Sequence, residues 1–220
     1  MDPVKTLFPH HRSNDIVSGV LHGIGLGLAI TALIILVIFA GTARSITAMA
    51  VFGSGLVLLY LTSALYHLLP HRHIRTKTIL QKLDHSMIYV LIAASYTPIC
   101  LVGLRGGWGW SLFGVSWGLA LVGILLKSIQ RFYPPLWLSV THYLLMGWLI
   151  LLALPKVLIV FSDGALFWLT LGGVLYTTGV IFFSLDRVFK WRWFGMHEVF
   201  HLFIIGGSFA HFWLMLWYLP

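Results

Sequence analysis

The sequence predicts an all-α membrane protein, a bundle of seven transmembrane helices. Three observations carry that expectation. Of the 220 residues, 59% are hydrophobic and only 9% charged, with mean hydropathy +0.93, where an ordinary soluble domain carries about 25% charged residues. Apolar runs recur that reach the ~18 or more residues needed to cross ~30 Å of hydrocarbon. The ~10-residue alternating segments that a transmembrane β-barrel requires are missing.

Hydropathy and punctuation place the spans, in order, at 16–40, 46–69, 83–104, 109–127, 135–154, 164–185 and 195–218. The first run is about 25 residues, too long for the apolar region of a cleavable signal. The second ends at Pro70 in "LTSALYHLLP". The third follows a basic stretch and contains Pro98, which removes a backbone donor and is expected to bend the helix. The remaining spans are separated by short connections, with no repeat, linker or low-complexity segment. The expected organisation is a cytoplasmic tail at 1–15 and one seven-helix domain at 16–218. Glycine-rich stretches, "HGIGLG" and "GGSFA", offer small faces for close helix packing.

Net charge is +8, from 14 basic and 6 acidic residues. In a soluble chain this would suggest nucleic acid; between apolar spans it reads as anchoring to an anionic leaflet. Alternate connections differ sharply. Lys5 and Arg12, then Arg72, Arg75, Lys77 and Lys82, then Lys127 and Arg131, then Arg187, Lys190 and Arg192 fall on one side, against Arg44, Arg105 and Lys156 on the other. The positive-inside rule puts the N-terminus in the cytoplasm and the C-terminus outside. A G-protein-coupled receptor runs the other way, and a retinal protein needs a lysine in its last span. The single cysteine, Cys100, excludes an internal disulfide framework.

Ionisable groups inside spans are costly and mark candidate sites. His67 ends span 2, with Ser63 one turn deeper on the same face. Asp84 lies in the first turn of span 3. His197 and His201 lie in the first turns of span 7, four residues apart on one face. By the alternation of spans, all five belong to one layer near the cytoplasmic face. Three histidines with a water in the fourth position make a recognised catalytic zinc arrangement. Here His67, His197 and His201 are the candidate ligands, and Asp84 and Ser63 are placed to deprotonate and hydrogen-bond the water.

These residues also resemble a known family. "SALYH" (Ser63 to His67), "DHSMIYVLIAASYTP" from Asp84, "HEVFH" from His197 and "HGIG" from His22 are similar to the motifs of the hemolysin-III-like and progestin-and-adipoQ-receptor family, across essentially the full chain. The resemblance implies a seven-helix bundle with zinc near the cytoplasmic face, His67, His197 and His201 as ligands, and Asp84 and Ser63 holding the water. Animal members are described as slow ceramidases whose fatty-acid product occupies an internal cavity; bacterial members are tied to membrane-lipid homeostasis. Where many relatives start span 1 with Glu and Asn shortly before Thr-His, this chain has "SNDIVSGVLHGIG", so Asp15 stands in for the acidic residue and the Asn-Thr part is unmatched.

The expected function is thus a zinc-dependent hydrolase of lipid amides in the bacterial inner membrane, with a membrane lipid or fatty acyl chain as its partner and no nucleic acid. The alternative is a non-enzymatic sensor of membrane state with a structural zinc, to which Asp84 supplies a fourth ligand. A haemolytic pore has less support, because no row of intramembrane charges lines a path. An intramembrane protease reading of H-E-x-x-H needs an Asp-Gly partner, and Asp163-Gly164 falls in an outer connection. Glu198 is therefore expected to be a solvated glutamate favoured by the helix dipole. His211, with Trp213, Trp217 and Tyr218, is expected in an interfacial belt. His22 and His142 are expected to make interhelical hydrogen bonds, with cavity lining as the other option. His71 and His73 are assigned to a basic connection with a topological role, and His85 faces away from the Asp84 side.

Overall fold

The computed structural model describes residues 12–128, 135–185 and 194–219, with side chains from Asp15 onward. Among the described residues there is no strand. The helices are α1 (Arg12–Phe39), α2 (Ala43–Leu68), α3 (Ile74–Pro98), α4 (Gly106–Ser128), α5 (Leu136–Gly147), α6 (Leu154–Val160), α7 (Asp163–Leu185) and α8 (Met196–Tyr218). A π-helical turn, Ile99–Leu104, continues α3, and a 3-10 segment, Leu149–Ala153, joins α5 to α6. Together they make seven segments long and apolar enough to span a bilayer. Helices are forced here because lipid cannot satisfy backbone N–H and C=O groups.

Local sequence explains the breaks. Thr42 caps α2: its hydroxyl accepts from the Ser45 N–H at 3.1 Å, and Ser45 Oγ accepts from the Thr42 N–H at 3.0 Å, the reciprocal capping box. The expected disturbance at Pro98 is found as the change from α to π winding immediately after it. Span 5 changes to 3-10 winding at Trp148 and resumes as α6 with Pro155 in its first turn. Tyr96 bridges this break, its hydroxyl donating to Gly147 O and accepting from Ile150 N–H, each at 2.9 Å.

Two helix starts differ from expectation. α1 begins at Arg12, so Asp15 lies in the first span and not in a tail. α3 begins at Ile74, nine residues before the expected 83, so Arg75, Lys77 and Lys82 are helical. Hydropathy treats a charged turn as a connection, but a helix continues wherever its charges find partners or water. Lys5, Arg131, Arg187, Lys190 and Arg192, and the side chain of Arg12, lie outside the described residues.

The segments form two shells. α2, α3 with its π turn, and α8 are the most buried; α7 is the least. Phe52, Leu56, Leu91, Tyr96, Cys100, Leu214 and Met215 meet in the core. Outward-facing side chains such as Ile24, Ile38, Trp137 and Ile159 are large, apolar and exposed, as lipid contact requires. α8 packs on both α7 and α1, and α1 packs on α2. The last helix thereby returns beside the first two, which brings the end of α2 against the start of α8.

Candidate metal centre

His67 comes from the last turn of α2, and His197 and His201 from the first two turns of α8. Their exposures are 2%, 8% and 1%. One potential ligand atom from each lies within 4.8 Å of the others, the one such group of His, Cys, Asp or Glu among the described residues. Ring centroids are 5.3 Å apart for His67–His197, 5.2 Å for His67–His201 and 4.5 Å for His197–His201. The i, i+4 spacing sets the pair on one helical face, and the α1–α2–α8 packing supplies the third ring.

The donor set suits zinc. Imidazole is a zinc ligand, and Zn–N distances of ~2.1 Å ask for nitrogens a few ångströms apart around one point. His67 Nε2 is buried and has no hydrogen-bond partner among the described residues, while its Nδ1 is bonded to Asp15. A buried polar atom without a partner is costly, and a cation among the three rings would satisfy it. The structure thus brings together the three residues named as ligands.

Asp84 and Ser63 line the same cavity as His197 and His201. Asp84 lies near enough to both His67 and Ser63 to interact with them, but outside the ligand group. The cavity is about 270 Å³. Along α7 its lining runs from Phe183 to Leu166, a distance of ~26 Å at 1.5 Å per residue. Apart from the polar cluster at one end, it is walled mostly by Leu, Ile, Val and aromatic side chains.

Several neighbouring residues depart from expectation. Glu198 is not solvated: it is 1% exposed, accepting a hydrogen bond from Ser18 Oγ at 2.7 Å and one from Gly195 N–H at 2.6 Å. It caps α8 and ties that helix to α1. His211 is not in an interfacial belt: it is buried, stacked on Tyr176, and placed along the cavity. Its aromatic neighbours in sequence suggest a belt, but its ring faces α7 and not lipid. His22 lines the cavity and neither ring nitrogen has a hydrogen-bond partner among the described residues. His142, in contrast, meets expectation: it is hydrogen-bonded to the Leu119 backbone of α4 and packs on the Tyr89 ring.

Two polar features had no warning in composition. Tyr60 Oη donates to Ser208 Oγ at 2.8 Å, and Tyr176 Oη lies 3.0 Å from the same atom. Gly25 and Gly207 permit this: a Cβ at either would fall 2.7 and 2.6 Å from the Tyr60 and Tyr176 rings respectively. The small faces expected of "HGIGLG" and "GGSFA" serve that approach. The second feature is the set of contacts around Asp15: His71 Nε2 lies 2.6 Å from its carboxylate and the Lys77 ammonium 2.9 Å. His71 and Lys77 therefore do more than set topology.

A family model described as haemolysin-III related matches residues 10–212. The chain is 41% identical over 210 residues to the hemolysin-3 homolog of Bacillus subtilis (strain 168), covering 93% of both chains. It is 40% identical over 210 residues to the hemolysin-3 of Bacillus cereus, covering 93% of this chain and 91% of that one. A more distant similarity, 27% over 184 residues, joins it to the human monocyte to macrophage differentiation factor, across 77% of this chain and 69% of the relative.

Proposed function

The chain belongs to the haemolysin-III-related family of membrane proteins, and from that membership and its buried three-histidine group we propose that it is a zinc-dependent hydrolase of lipid amides. The observation that carries the reading is the position of the group at the polar end of a long apolar cavity, beside one carboxylate. Seven apolar helices make it a multi-pass membrane protein, and the bacterial inner membrane fits as its location.

When bound, zinc supplies a Lewis acid for the carbonyl oxygen and lowers the pKa of water. His67, His197 and His201 would hold it. Ser63 orients the attacking water by hydrogen bonding, and an Asp84 carboxylate oxygen takes its proton. The water oxygen bonds to the carbonyl carbon, the C–N bond breaks, the proton passes from Asp84 to the departing amine, and a fatty acid and an amine result. The apolar wall from Phe183 to Leu166 holds the acyl chain and keeps bulk water out. Asp84's place outside the ligand group supports a catalytic over a purely structural zinc, which prefers four protein ligands.

The second reading is a regulator in which the metal ties α2 to α8. It draws on the same histidines, which come from different helices. A pore has less support, because the cavity lining is largely apolar. Zinc content of purified wild type, His67→Ala and His201→Ala, together with turnover of a fluorescent ceramide, separates the readings. Near-stoichiometric zinc in wild type alone, with zinc-dependent turnover, is expected. Equal zinc in all three removes the basis of both; zinc without turnover of any lipid amide favours the regulator.

A further inference from the structure

The first turn of α1, the end of α2 and the first turn of α3 meet on a single carboxylate. Asp15 Oδ1 lies 3.1 Å from His67 Nδ1, and Asp15 Oδ2 is shared by His71 Nε2 at 2.6 Å and Lys77 Nζ at 2.9 Å. Lys77 also donates to Leu69 O at 3.1 Å. The Lys77 and Asp15 side chains are 0% and 4% exposed. Burying such a pair demands compensation, since removing two charges from water costs more than a surface ion pair returns. A bundle held together by apolar packing has no general need for it.

We propose that Asp15 is a positioning residue of the metal centre, fixing His67 so that Nε2 and not Nδ1 meets the ion, with Lys77 holding the carboxylate in place. The inference rests on the three-histidine reading above. An ionised carboxylate only accepts hydrogen bonds, so the His67 nitrogen facing it must carry the proton. The other nitrogen, Nε2, then presents its lone pair, and it is the atom with no hydrogen-bond partner among the described residues. A second hydrogen bond of this type sets the tautomer and ring angle of metal-binding histidines and raises their basicity. Lys77 has the complementary task. Its ammonium donates to both Asp15 and the Leu69 carbonyl, so it pins the carboxylate to the end of the helix that carries His67. His71 closes the set from the connection that follows.

A purely structural role for the same cluster is a real competitor and makes a different prediction. If the pair only joins α1 to α3, then removing both charges together leaves the metal site intact. The test uses the full-length protein in detergent. Zinc affinity is measured by chelator competition, and the ligand field by Co2+ absorption, for wild type and the double variant Asp15→Asn/Lys77→Met. The double variant leaves no buried charge unpaired, and its thermal unfolding verifies that it folds. Zinc affinity 10–100-fold weaker, as outer-partner losses usually give, with an altered Co2+ spectrum, supports the proposal. Wild-type affinity and an unchanged spectrum overturn it.

A measurement on wild type covers the case in which the double variant does not fold. In zinc-loaded protein with 15N-labelled histidine, the signal that disappears in His67→Ala should show a protonated Nδ1 and a metal-bound Nε2. Coordination through Nδ1 overturns the proposal. Should wild type and His67→Ala hold equal zinc, it is the three-histidine reading itself that falls.

Discussion

The imidazole of His22 lies stacked on that of His201, with ring centroids 3.7 Å apart and planes 25° from parallel. Tyr60 meets His22 edge-on at 5.1 Å. His22 therefore backs a candidate ligand ring without belonging to the three-histidine group. His22→Ala should keep near-wild-type zinc while losing about 2 kcal/mol of stability, as a large-to-small change in a packed site does. Metal analysis beside thermal unfolding tests this. Loss of zinc with stability intact would show that His22 is a ligand after all.

Asp84→Asn separates proton transfer from metal binding. The variant should retain zinc and lose turnover of a lipid amide by about 10²–10⁴-fold, the usual contribution of a positioned general base. Zinc lost together with activity would make Asp84 a ligand and the site a structural one.

Glu198 answers the question raised by H-E-x-x-H. Its carboxylate joins the start of α8 to Ser18 of α1, so its removal is a stability lesion. Glu198→Ala loses a helix cap and leaves a buried hydroxyl unpaired, each worth about 1–2 kcal/mol. Melting should fall accordingly, while turnover per folded, zinc-loaded molecule stays within a few-fold of wild type. A folded variant of normal stability with abolished turnover would restore the protease-like role.

Gly207→Ala tests the close approach behind the cavity. The added methyl meets the Tyr176 ring at 2.6 Å, and the Tyr176 hydroxyl is paired with Ser208. Overpacking of this kind costs about 1–3 kcal/mol. Unfolding in detergent should show the loss, and an unshifted transition would mean that the ring moves aside freely.

The elements were legible because lipid leaves the backbone one economical choice, and a run of apolar residues announces it. Errors arose where charge was read as connection. Lys77 looked like a loop residue because hydropathy scores the side chain alone, and its partner Asp15 is sixty-two positions away. Glu198 was read as solvated for the same reason: Ser18, which buries it, belongs to another helix. The belt expected for His211 rests on its aromatic neighbours in sequence, which say nothing of direction around the helix.

The three clustered histidines were legible for a different reason. The four-residue spacing of His197 and His201 is a local fact of helical geometry, and alternation of spans puts His67 at the same end of the bundle. What no local pattern contains is adjacency between helices. The sequence by itself determined the seven apolar segments, their alternating direction and the chemical identity of the polar residues at each end. Only the tertiary structure decided that α8 returns beside α1 and α2, so that His67 meets His197 and His201 while Asp15 stands behind it. The physical reason is that the apolar faces that seat one helix against another are nearly interchangeable in composition. Which faces match depends on side-chain shape, such as the gaps left at Gly25 and Gly207, and shape acts only once the helices are packed.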